Sequence, residues 1–283
     1  MIDVAWLVLR VLSFVLTLQA AGMALYRLRL AYHPPQAGVA LAVDARRAAL
    51  AASLVVAAQI PMEPAYLAGE LSGVLDSDTA GFALITAGPE LIVRLIGVAL
   101  LLRGARPDGA GRTALLLAGS ALAVLSFALA GHVPHSGHGA LLVPLLLIHV
   151  AIVAFWFGAL WSLYRLTRLA ECRELTQALT GFSRLAVWLV PLIAVAGIAI
   201  AAGLLSGVAA LAQSYGLLLI AKGGCFALAL GLAALNRQRL LPAIARGERA
   251  AVARLRGTLI GEYLLLCAAL AVAAIMSGIY FPT

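Results

Sequence analysis

Four of the chain's five histidines fall within 18 positions: His132, His135, His138 and His149. Neutral imidazole is a ligand for copper, zinc, iron and nickel, and three or four rings converging on one point would hold such an ion strongly. The first three lie in the run Gly131-His132-Val133-Pro134-His135-Ser136-Gly137-His138, whose glycines and proline read as a connection between helices. Histidines in a connection can also be ordinary solvated side chains. His149 lies inside an apolar stretch, where a polar ring is costly and usually functional. Met62 and Met276 offer thioether sulfur, a soft donor suited to Cu(I), although methionine is also a common filler of packed cores. These six residues are the candidate metal ligands. The chain carries no HExxH zinc motif and no glycine-rich nucleotide loop. No nucleophile and base stand at a spacing that would bring them together, so an enzyme is not expected.

The elements that must position these residues follow from composition. Of 283 residues, 64% are hydrophobic and 11% charged, far from the balance of soluble domains. A hydrocarbon core about 30 Å thick needs roughly 20 apolar residues per helix. Eight such stretches occur, near 4–29, 44–67, 81–103, 113–131, 141–167, 183–206, 215–236 and 258–280. The predicted fold class is therefore all-α, a polytopic membrane bundle of about eight transmembrane helices in one integral domain over 1–283. The start, Met1-Ile2-Asp3, lacks the basic region of a cleavable signal, so the first stretch is expected to stay as a helix.

Charge orients the bundle. Seventeen of the 20 basic residues sit in alternate connections: Arg27 to Arg47, Arg103 to Arg112, Arg165 to Arg184, and Arg237 to Arg256. The intervening connections, 68–80, 132–140 and 207–214, hold no Lys or Arg. Arginine-rich short loops mark the cytoplasmic side, which makes both termini extracytoplasmic. The net charge of +8 then reads as topology and gives no reason to expect nucleic acid as a partner; the expected surroundings are a lipid bilayer. In this orientation the histidine run joins spans four and five on the outer side. His149 follows about two turns into span five, and Met62 and Met276 lie near the outer ends of spans two and eight. The inner half offers Met23, His33 and Cys172. Cys172, Cys225 and Cys267 fall in different helices and form no disulfide framework.

Ionisable residues inside spans need partners. Glu90 and Arg94 stand at i,i+4 and can pair on one helix face. Lys222, the only lysine, could extend its stem outward or set the potential near the histidines. Glu262 is expected to meet an arginine of a neighbouring loop. In Gln59-Ile60-Pro61-Met62-Glu63-Pro64 the two prolines could open a helix end and expose carbonyls.

Five pieces of the chain together resemble the copper-resistance membrane proteins of the CopD/PcoD type, most strongly over roughly 126–280. Gly131-His132 closes span four. His149 is followed by Trp156 and Gly158 in a His-x6-Trp-x-Gly pattern. Phe182-Ser183-Arg184 opens span six. Tyr215-Gly216 precedes Lys222, then Ala234-Leu235-Asn236-Arg237 and Leu240-Leu241-Pro242. Glu262 follows Arg256 at the start of span eight. The division that results is 1–112, with spans one to three, and 113–283, with spans four to eight and the CopD-like region.

The resemblance implies copper handling in the bacterial cytoplasmic (inner) membrane, often described as uptake from the periplasm. Copper ion is then the expected cargo, and a periplasmic copper-binding protein is a candidate partner. It implies His132 and His149 as the principal ligands, while His135 and His138 stand outside the family pattern. A different class of function fits the same pair: a b-type haem electron-transfer protein with His132 and His149 as axial ligands from adjacent helices.

Overall fold

The structure is a computed structural model that describes residues 1–29, 35–106, 111–129, 131–134 and 136–279. His33 and His135 lie outside the described residues. The elements are helical throughout: α1 (Ile2–Arg29), α2 (Pro35–Ala68), α3 (Ser77–Thr86), α4 (Gly88–Gly104), α5 (Arg112–Ser126), α6 (Gly139–Leu169), α7 (Cys172–Leu204), α8 (Ser214–Leu235), α9 (Leu241–Ala245) and α10 (Arg249–Gly278). A π-helical turn, Asn236–Leu240, joins α8 to α9. Among the described residues, five stretches are long and apolar enough to cross a membrane: α1, α6, α7, the run Ser214–Ala245, and α10. The bent pair α3–α4 would bring the number to six. The outward faces are apolar, with Trp188 78%, Val195 62% and Ile198 70% exposed along α7. Such a surface suits acyl chains, and the chain is a helical membrane protein.

Two elements differ from the sequence reading for plain reasons. The expected span 81–103 is broken by a 65° bend between α3 and α4. The break falls at Ala87-Gly88-Pro89, where proline lacks the N–H that would continue the ladder and restricts the residue before it. α5 ends at Ser126 and does not run on to 131, so Gly131-His132 lies beyond the helix, with Gly131 at φ +84°. By contrast, Pro61 and Pro64 do not open α2, which runs through both to Ala68. Asp76 starts α3 by accepting from the Thr79 hydroxyl (2.9 Å) and from the backbone N–H groups of Thr79 and Asp78 (3.3 and 3.4 Å). Those bonds, the hydroxyl first, hold its carboxyl below the usual carboxylate range.

α1 and α6 form the centre, and small residues let them meet. A Cβ added at Gly22 would stand 1.8 Å from the Ala154 carbonyl oxygen, and one at Gly158 would stand 2.1 Å from the Gly22 carbonyl carbon. α4 and α5 approach in the same way through Gly97 and Gly119. α7 packs on α6, and α8 packs on α10.

Charge is buried between α1, α4 and α5. Arg94, with no exposed surface, pairs with Glu90 as the sequence predicts. It also donates to Ser13 Oγ and Ser126 Oγ, each at 3.1 Å. Its guanidinium lies 5.3 Å from the Phe14 ring centre and 4.4 Å from that of Phe127. One side chain of α4 thereby ties α1 to α5. Removing one partner of such a pair leaves an uncompensated charge, at a cost of about 3–5 kcal/mol. Glu90→Ala is accordingly expected to lower stability by about that amount, read from thermal unfolding in detergent. A change below about 1 kcal/mol, the scale of an exposed pair, would show that the pair does not hold these helices.

Candidate metal site

His132 sits in the irregular segment between α5 and α6, where Gly131 takes a left-handed conformation open to glycine. Its Nε2 is 3.2 Å from the carbonyl oxygen of Met276, near the end of α10. Its ring meets that of Tyr215, at the start of α8, edge-on at 6.3 Å between centres. His149 lies a few turns into α6, half-buried, with Nδ1 3.2 Å from the carbonyl oxygen of Ile193 on α7. A carbonyl can only accept, so each of these nitrogens carries a hydrogen. In a neutral ring the lone pair then resides on the other nitrogen: Nδ1 of His132 and Nε2 of His149. A second nitrogen bonded to a backbone carbonyl is the usual support of a metal-ligating histidine, fixing tautomer and ring orientation.

Gly197, one turn beyond Ile193, makes room for the second ring. A Cβ there would stand 3.3 Å from His149 Cε1 and 3.5 Å from Nδ1, against the face of α7 that the imidazole occupies. Lys222 on α8 is close enough for its charge to act on this ring.

The other candidates stand apart. His138 is exposed at the position before α6 and makes no capping bond there. Met276 is buried and serves His132 through its backbone oxygen. Met62 is half-buried within α2. All three cysteines are free. Among the described residues no three His, Cys, Asp or Glu side chains converge on a point. His132 and His149 are the two candidates held by built contacts, each on its own neighbours.

Glu262 does not meet a loop arginine. It is 1% exposed on α10 and accepts from Asn236 Nδ2 at 2.5 Å. Arg256, the arginine nearest along α10, turns to α6 instead, donating to Thr167 Oγ1 at 3.0 Å and to the Thr167 carbonyl at 2.6 Å. The sequence reading also missed Gly197 and the two supporting carbonyls. A backbone oxygen has no signature in a residue list, and Gly197 is one of 27 glycines.

These features describe a helical membrane protein with two oriented imidazoles. Residues 176–276 match the family model of copper resistance protein D, CopD. The resemblance to that family read from the sequence is borne out over this segment, which associates the protein with copper resistance. No curated protein and no solved structure matches the chain. His132 and His149 precede the matched segment, yet Ile193, Gly197, Tyr215, Lys222 and Met276, which surround them, all lie inside it.

Gly197→Leu should drive the His149 ring off α7 and break its bond to Ile193. In ¹⁵N-histidine NMR, native His149 is expected as the Nδ1–H tautomer, and that signal should be lost in the variant. Loss of one hydrogen bond costs about 1 kcal/mol, so the fold should persist. An unchanged tautomer signal would mean that the glycine does not position the ring.

Proposed function

We propose that the protein binds copper at the periplasmic face of a bacterial cytoplasmic membrane and passes it into or across the membrane, as a handling protein and not a catalyst. His149 Nε2 and His132 Nδ1 are the principal donors. The observation that carries this reading is the pair of carbonyl supports from Ile193 and Met276, both supplied by the CopD-matched segment. Eight spans with both termini outside follow from the alternation of arginine-rich and arginine-free connections. On this reading α2, the bent α3–α4 pair and α5 complete the set begun by the five apolar stretches. His135 and His138 lie among Pro134, Ser136, Gly137 and Gly139, and ordering such a segment costs about 1–2 kcal/mol per residue. They capture the ion first and hand it inward. Met62 and Met276 are the accompanying soft donors, and a periplasmic copper-binding protein is the partner that would load the face.

A cation at His149 would feel the repulsion of Lys222, which suits a site that must release what it binds. Copper titration of the purified protein in detergent tests the reading. His149→Ala and His132→Ala should each abolish stoichiometric binding while the protein still folds. The His135→Ala, His138→Ala double variant should weaken loading only at low copper, and Lys222→Gln should tighten binding. Unchanged stoichiometry in His149→Ala would overturn the assignment, and a Soret band in the isolated protein would replace it with haem ligation.

A further inference from the structure

The interior of the bundle holds a second polar site that the copper reading does not use. Its centre is Glu262, in the middle of α10 and 1% exposed. Asn236 of α8, also buried, donates Nδ2 to Glu262 Oε1 at 2.5 Å. Thr258, one turn earlier on α10, donates its hydroxyl to Asn236 Oδ1 at 2.5 Å. That bond fixes the amide with its NH₂ group toward the carboxyl. From α6, the indole of Trp156 lies beside Glu262, its Nε1–H a second donor for the carboxyl.

Asn236 begins the π-helical turn Asn236–Leu240. Such turns insert a residue into the helical register, weaken local bonding and recur at functional sites. The site therefore combines a buried carboxyl, a fixed amide donor, an adjacent indole donor and a helix irregularity.

What is missing is a positive charge. Among the described residues no ion pair involves Glu262. The groups at the carboxyl are uncharged, Trp156 from α6 and Asn236 from α8, with Thr258 of α10 behind the amide, and no charged side chain is among those acting on it. Arg256 is engaged with Thr167. An ionised carboxylate in apolar surroundings without a counter-ion costs far more than a neutral acid. Oxygen donors of this kind are also a poor match for soft copper. The ligand that suits the site is a proton.

We propose that Glu262 is a proton-binding site in the membrane interior, a neutral carboxylic acid cradled by Asn236, Thr258 and Trp156. Oε1 is then the carbonyl oxygen that accepts from Asn236, and Oε2 carries the hydrogen. On release the Oε2–H bond breaks, its electron pair stays on the carboxylate, and the proton passes to a water molecule. The Trp156 Nε1–H beside it then donates to the new anion, and uptake reverses the transfer. The site stands whether or not copper binds at the histidines.

Infrared spectroscopy of the full-length protein in detergent reads the protonation state directly. The wild-type protein at neutral pH is expected to show a carboxylic-acid C=O band above the amide I region, shifted slightly down in D₂O and absent in Glu262→Gln. In Asn236→Ala the same band should move to higher wavenumber, because its carbonyl loses a donor. Absence of any acid band that Glu262→Gln removes would overturn the proposal, since Glu262 would then be a structural carboxylate. Should Glu262→Gln fail to insert, the Asn236→Ala shift carries the assignment, and a band unmoved by that change would also overturn it.

Discussion

The last turn of α10 is the constraint on which both the bundle and the histidine face depend. A helix ends with carbonyls that have no partner within it, and in an apolar setting each must still find a donor. Here the carbonyls of residues 274 to 277 are all taken. Arg10 of α1 donates to Ala274 at 3.3 Å and to Ser277 at 3.4 Å. Ile279 N–H serves Ile275, and His132 serves Met276. One arginine from the start of the chain and one histidine from its middle therefore close the end of the CopD-matched segment. The capping bond also leaves His132 with its lone pair on Nδ1 in the neutral ring, so the contact that meets a structural need also fixes the tautomer of the proposed ligand.

Arg10 links this cap to the buried charges of the N-terminal half. Its guanidinium lies 5.5 Å from the Phe14 ring centre, and that of Arg94 lies 5.3 Å from the same ring. Arg94 in turn holds Glu90, Ser13 and Ser126. α1 thus connects these buried charges to the matched segment, at the end of α10 near His132. α10 carries both polar sites, offering the Met276 carbonyl near its end and the Glu262 carboxyl at its middle.

Much of the architecture was legible because lipid imposes a length and an apolar composition on each span. Glu90 and Arg94 were legible for the same kind of reason: spacing of four on one helix is a local fact. What escaped was long-range or carried by backbone. The partner of Glu262 is Asn236, 26 positions earlier, chosen by the contact of α8 with α10. Gly22 meets Ala154 and Gly158 across the crossing of α1 and α6, and nothing in either local sequence names the other. Hydropathy alone carried α5 past Ser126, because Phe127, Leu129 and the residues around them remain apolar after the helix has ended. The histidines were visible as chemistry, but Ile193 and Met276 act through carbonyl oxygens that every residue possesses.

The central claim is that two imidazoles, each oriented by a backbone carbonyl, ligate copper. X-ray absorption at the copper edge of the loaded protein tests it most directly. The account predicts outer-shell scattering from imidazole rings in the wild-type spectrum, reduced when His149 is replaced by alanine and reduced again when His132 is also replaced. A spectrum without imidazole scattering, or one that both replacements leave unchanged, would contradict it.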